Sequence, residues 1–211
     1  FPKSFVLFNI LGAVCVAQDE LEVAINHHKK SVEINPDYAE GYNNLGIAFQ
    51  KLGLFEEAVK NYKKTLKLKP DFSLAYNNLG VVLKSLNKLD EALLTSKKAI
   101  ELDPKFADAH NNIGAILQDL GNYEEAYKFY KKAIKLKSSY SEAYYNLGIL
   151  LKKLGKIEEC VENFQKAVTV NQKNNRAYSN YLFNLNYLTK YDDNYYIEEA
   201  KKFRFSLKKI D

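Results

Sequence analysis

Arginine is nearly absent from this chain. Arg176 and Arg204 are the only two, so the formal charge of +5 rests on lysine. The planar guanidinium fork that grips phosphate bidentately is thus missing from most of the sequence. Nucleic acid is not expected as a partner, and the lysines read as a solvated face. Cysteine is scarce too. Cys15 and Cys160 lie far apart on apolar or small-residue positions and read as core packing, with no disulfide framework. Of the three histidines, His27 and His28 are adjacent, which points them about 100° apart on a helix, and His110 has no nearby His or Cys. No metal site follows, and all three are expected to be exposed or partly packed. Neither a Gly-rich phosphate loop nor a Cys–His or Ser–His pairing stands out, so the chain is not expected to be an enzyme or to hold a cofactor.

Long apolar runs are missing as well. Phe5 to Ala17, preceded by Lys3, imitates the short hydrophobic stretch of a signal peptide, but the same residues fall in phase with the repeat described below. No other run is long or apolar enough to span a bilayer, so no membrane partner is expected. With two unpaired cysteines the expected compartment is cytoplasmic. The chain begins at Phe and contains no Met, which suggests a fragment of something longer. What remains is an ordinary globular composition, 46% apolar and 27% charged, which calls for a packed core.

The few prolines reveal the organisation. Pro36, Pro70 and Pro104 are separated by steps of 34 residues. Gly12, Gly46, Gly80, Gly114 and Gly148 keep that step, as do Leu11, Leu45, Leu79, Ile113 and Leu147 before them. Small residues recur at Ala24, Ala58, Ala92, Ala126 and Cys160, and again at Ser31, Thr65, Ala99, Ala133 and Ala167. The phase gives units at 5–38, 39–72, 73–106, 107–140 and 141–174, with a partial sixth from 175.

Each unit reads as two helices. Tyr42, Leu45, Phe49 and Leu52 make one apolar face, and Ala58, Val59, Tyr62 and Leu66 another. Between them stands Gly53, with Asp19, Asn87, Gly121 and Gly155 as its counterparts. Gly, Asn and Asp tolerate the left-handed backbone that ends a helix, so this position is a C-cap and turn. A glycine inside a helix costs about 1 kcal/mol relative to alanine and needs a packing reason. Gly46 and Ala58 are accordingly read as the contact between paired helices.

Aromatic, Leu-Gly, apolar, Ala, aromatic, Ala and Pro at these offsets resemble the tetratricopeptide repeat, over residues 5 to about 188. The resemblance implies an all-α fold, a right-handed superhelical solenoid of tandem helix-turn-helix repeats stabilised by stacking. The expected division is a repeat domain at 1–188 and a C-terminal linker and capping helix at 189–211. Ser138 and Gln172 stand where Pro is expected, His28 and Ser96 replace the larger aromatic, and Cys160 replaces Ala. These departures bear on local rigidity, not on the fold.

In such a solenoid the first helix of each pair lines the concave side. Asn44, Asn78, Asn112, Asn146 and Asn180 recur there, preceded in three units by Asn43, Asn77 and Asn111. Asparagine is a poor helix former, so the row needs another reason. Either these amides bond to neighbouring backbone or to the loop of the adjacent repeat, or they form a peptide-binding row. A carboxamide matches the N–H and C=O of an extended chain and can hold it without reading its side chains. The expected partner is therefore a protein or peptide in the concave groove, with self-association left open. Ile10 stands at this position in the first unit, where the row is expected to stop.

Such asparagine ladders resemble the repeat region of O-linked N-acetylglucosamine transferases. Residues 176–187 are also similar to the segment leading into the catalytic region of bacterial and plant relatives, with 193–208 as the next helix. The resemblance implies a substrate-recognition arm whose parent continues past Asp211; the alternative is a free-standing scaffold. Glu56-Glu57, Glu124-Glu125 and Glu158-Glu159 read as charges favouring helix N-termini, and Lys63-Lys64, Lys97-Lys98 and Lys131-Lys132 as solubilising cations near helix C-termini.

Overall fold

A computed structural model of the chain describes residues 4–188 and 193–207, with side chains of the last helix described from 194 to 202. Residues 189–192 of the expected linker, and Lys208 onward, lie outside the described residues. Twelve helices and no strand occur among the described residues: α1 (Phe5–Ala17), α2 (Leu21–Ile34), α3 (Ala39–Lys51), α4 (Phe55–Leu68), α5 (Ser73–Ser85), α6 (Leu89–Leu102), α7 (Ala107–Asp119), α8 (Tyr123–Leu136), α9 (Ser141–Lys153), α10 (Ile157–Val170), α11 (Asn175–Leu185) and α12 (Asp193–Leu207). The chain divides into two compact units, residues 1–116 and 117–211.

Unit 1 is a run of helical hairpins. From α1 to α6 each helix packs on the next, and α1 on α3 and α3 on α5 pack as well, so the odd-numbered helices form the inner layer there. Unit 2 repeats the scheme through α8, α9, α10, α11 and α12, each against its successor.

The turn within each hairpin follows from one residue. Asp19, Gly53, Asn87, Gly121 and Gly155 all have positive φ, between 58° and 80°. That conformation lets the next N–H reach back to the helix just ended: Leu54 N donates to Phe49 O at 2.9 Å, and Lys88 N to Leu83 O at 2.9 Å. These are the bonds of a Schellman cap. The second helices start without a side-chain cap at Leu54, Lys88, Asn122 or Lys156. Acidic pairs in the first turn, such as Glu56 and Glu57, put negative charge at those N-termini instead.

Loss of the terminal proline leaves the junction unchanged. Lys137 and Asn171, which precede Ser138 and Gln172, hold φ of −138° and −139°, and Lys69 before Pro70 holds −136°. Tyr140 N bonds to Lys137 O at 3.1 Å, as Tyr38 N bonds to Asn35 O at 3.2 Å. The turn is thus fixed by backbone bonds, and proline only restricts the unfolded chain.

The recurring small residues are the tightest positions. Ala24, Ala58, Ala92, Ala126 and Cys160 are fully buried, and so are Ser31, Thr65, Ala99, Ala133 and Ala167. The glycines behave differently from the expectation for Gly46 and Ala58. A Cβ on Gly46 would lie 2.7 Å from the Tyr62 ring, and one on Gly148 2.7 Å from Phe164. The glycine makes room for the aromatic ring one turn beyond the alanine, since helical side chains lean back toward the N-terminus. In the unit where that ring is replaced by Ser96, the serine hydroxyl occupies the place over Gly80, and Ala92 O lies 3.3 Å from the place of a Gly80 Cβ.

The expectation for two of the histidines is corrected. His28 and His110 are buried rather than exposed or partly packed, with His110 Nε2 3.0 Å from Pro104 O. The His28 ring fills the space over Gly12 of α1. Cys160 is a free, buried thiol pushed up to about 11 by burial, so it stays protonated and inert at neutral pH.

Candidate protein-interaction face

The inner helices place the asparagines in a fixed pattern. In unit 1, Asn44 Nδ2 donates to Asn9 Oδ1 at 3.0 Å, Asn78 Nδ2 to Asn43 Oδ1 at 3.4 Å, and Asn112 Nδ2 to Asn77 Oδ1 at 2.8 Å. Every bond links the first helices of neighbouring repeats. Asn43, Asn77 and Asn111, expected on the ligand-facing surface, are instead buried at 2%, 6% and 4% exposure. Asn43 and Asn77 act as acceptors that hold the next asparagine in place. Asn44, Asn78 and Asn112 are half-buried at the face itself. Asn78 and Asn112 each keep an Oδ1 and a second N–H that form no other bond among the described residues.

Asn9 belongs to this system and falls outside the residues selected by the sequence pattern. It stands one repeat before Asn43, and that spacing is the signal that could have found it. Its Nδ2 donates to Tyr38 Oη at 3.1 Å, while its Oδ1 accepts from Asn44 and lies 3.0 Å from His28 Nδ1. An acceptor oxygen there makes His28 the donor through Nδ1. The opposite nitrogen, Nε2, is buried with no partner. Burial, and then the neighbouring His27, lower the His28 pKa from 6.5 to about 4, so the ring is neutral at physiological pH.

Unit 2 carries other chemistry in the same register. Tyr145 takes the place of Asn111, and the Arg176 guanidinium lies 5.2 Å from its ring centroid while approaching Glu142 at 3.5 Å. Asn146 and Asn180 are half-buried. The Asn180 amide turns to its own helix, donating to Arg176 O at 2.9 Å. The structure therefore brings Asn44, Asn78 and Asn112 into one bonded series within unit 1, and Asn180 stands outside such a bond.

These repeats match sequence profiles of one family. A tetratricopeptide repeat profile matches residues 39–72, 107–140 and 141–174, a TPR repeat profile matches 12–53 and 82–121, and another tetratricopeptide repeat profile matches 61–93. Together they run unbroken from residue 12 to residue 174. The chain belongs to the tetratricopeptide-repeat family. As a TPR chain it is, by class, a protein-interaction module. No curated protein matches it by sequence.

Among solved structures, the TPR chain is similar to MamA, with 26% identity over 78% of this chain and 96% of that one and a TM-score of 0.65. It is similar to TTC0263, a thermophilic TPR protein of Thermus thermophilus, with 23% identity over 86% and 99% and a TM-score of 0.77. YrrB, a TPR protein with an unusual peptide-binding site, shares 22% identity over 83% and 91% with a TM-score of 0.61. Among the described residues, no helix is long and apolar enough to cross a membrane, and no group of three His, Cys, Asp or Glu side chains is placed to hold a metal.

Proposed function

We propose that this TPR chain binds an extended polypeptide along the half-buried asparagines of its first helices. The observation that carries the reading is the series of Asn–Asn bonds between neighbouring repeats. Each bond fixes one amide hydrogen, and at Asn78 and Asn112 it leaves the acceptor and the second donor one repeat apart. Such groups suit the C=O and N–H of a peptide backbone. At about 1 kcal/mol net per bond, a few positions give weak, broad binding. In this reading Asn44, Asn78, Asn112, Asn146 and Asn180 touch the ligand, and Asn43, Asn77 and Asn111 support them. Binding of an unstructured neutral peptide, measured by fluorescence anisotropy at low and high salt, tests it. Contacts to a neutral backbone predict little salt dependence, and a steep loss of affinity with salt would point to polyanion binding instead.

We also take residues 1–188 as the repeat domain and 189–211 as its C-terminal linker and cap, in a protein of a reducing compartment. A finer reading makes the chain the substrate arm of a protein O-GlcNAc transferase; it rests on the asparagine row and the 176–187 segment alone. The reading frame downstream of Asp211 separates this from a free-standing scaffold: a nucleotide-sugar-binding domain would support the arm, and an early stop the scaffold.

A further inference from the structure

The inner face of unit 2 ends in rings and cations that the asparagine row does not use. Phe183, in the last turn of α11, and Tyr187, just past its end, are 53% and 61% exposed. Among the described residues they are the two aromatic side chains left this open to water. Their rings meet edge-on with centroids 5.7 Å apart, so they form one apolar surface. From α9, the Lys152 ammonium lies 4.7 Å from the Phe183 centroid. Its neighbour Lys153 is also exposed, but its ammonium lies 4.7 Å from the Tyr123 ring centroid, on α8.

The charges of this patch are unbalanced. Glu142, the acidic residue of the same inner helix, is engaged by Arg176 at 3.5 Å. Neither Lys152 nor Lys153 forms an ion pair among the described residues. An exposed aromatic pair beside the uncompensated Lys152 cation has the composition of an interface hot spot. A cation near a ring also gains when a second ring excludes water from it.

Building on the polypeptide-binding reading, we infer that this end of the face reads side chains: an aromatic residue of the bound polypeptide seats on Phe183 and Tyr187, and an acidic residue beside it pairs with Lys152. The partner is thus an acidic segment with an embedded aromatic residue.

Three fluorescein-labelled glycine-serine peptides, carrying a central Asp-Phe-Asp, Asp-Ala-Asp or Lys-Phe-Lys, test the inference by anisotropy against the full chain. The acidic aromatic peptide is expected to bind about tenfold tighter than either control. The advantage disappears in Phe183→Ala/Tyr187→Ala, and Lys152→Glu moves the preference toward Lys-Phe-Lys. All three side chains are exposed, so thermal melts should be unchanged and binding alone should move. Equal affinity for the three peptides, or an advantage that survives the double substitution, overturns the side-chain reading and leaves backbone binding standing. No binding of any peptide to the wild-type chain overturns both.

Discussion

The two units share a backbone plan and differ in what one register of the inner helices carries. In unit 1, Asn9, Asn43 and Asn77 accept bonds from the asparagine of the next repeat, and the inner helices are joined by amides. In unit 2 the register carries Tyr145 and Ser179, with Arg176 over the tyrosine and open rings at Phe183 and Tyr187. The hairpin turns are the same in both, with Gly53 at φ 79° and Gly155 at φ 73°. The same backbone plan therefore accommodates different residues at this register, and with them different chemistry at the inner helices.

The largest effects should fall on what the units share. Gly46→Leu and Gly148→Leu would drive a side chain into rings 2.7 Å from the new Cβ. Each should cost more than about 3 kcal/mol and unfold its own hairpin. Hydrogen exchange would show the loss confined to the mutated unit; a variant of normal stability would mean the ring does not pack on the glycine.

The next effect separates the units, because all three histidines lie in unit 1. The His28 pKa is about 4 folded against 6.5 as the ordinary value. Between those values the unfolded chain binds more protons, so stability is full above pH 6.5 and falls as pH drops toward 4. At about 1.36 kcal/mol per unit, roughly 2 kcal/mol should be gone by pH 5. Urea unfolding at pH 7 and 5 measures this, and His28→Phe should flatten the difference; an unchanged difference would place the sensitivity elsewhere.

Smaller effects probe the amide pairs. Asn77→Ala removes the acceptor of Asn112 and should cost about 1 kcal/mol while also weakening peptide binding. If stability falls while binding is unchanged, the amides serve the stack alone. Smallest is Glu40→Ala. The pair with Lys69 is 2.9 Å long, but its side chains are 43% and 44% exposed, so the expected loss is below about 1 kcal/mol in a thermal melt at low salt and nearly vanishes at high salt.

Periodicity makes much of this legible. The spacing of Pro, Gly and the small residues leads to paired helices, to the left-handed turn at Asp19, Gly53, Asn87, Gly121 and Gly155, and to the buried alanine positions. It cannot say which neighbouring side chain fills the space over a glycine. Spacing pairs Gly46 with Ala58, but the ring of Tyr62 lies there, because helical side chains lean toward the preceding turn. The asparagines are legible as a row and not as a bonded series. Ile10 ends the row by register, while Asn9, one place earlier, begins the series of acceptors. That pairing joins residues on different helices, which a single helical period does not reveal. By pattern His28 is a loss of aromatic volume, yet its ring is held by that same Asn9.

The most direct test of polypeptide binding by the asparagine row is the affinity of one unstructured neutral peptide for the wild-type chain and for Asn78→Ala/Asn112→Ala, by anisotropy at matched folded fraction. Loss of two or three backbone contacts at about 1 kcal/mol each predicts a fall of tenfold or more, with little dependence on salt. An affinity unchanged by the double substitution would contradict the account and leave the asparagines as joints between repeats.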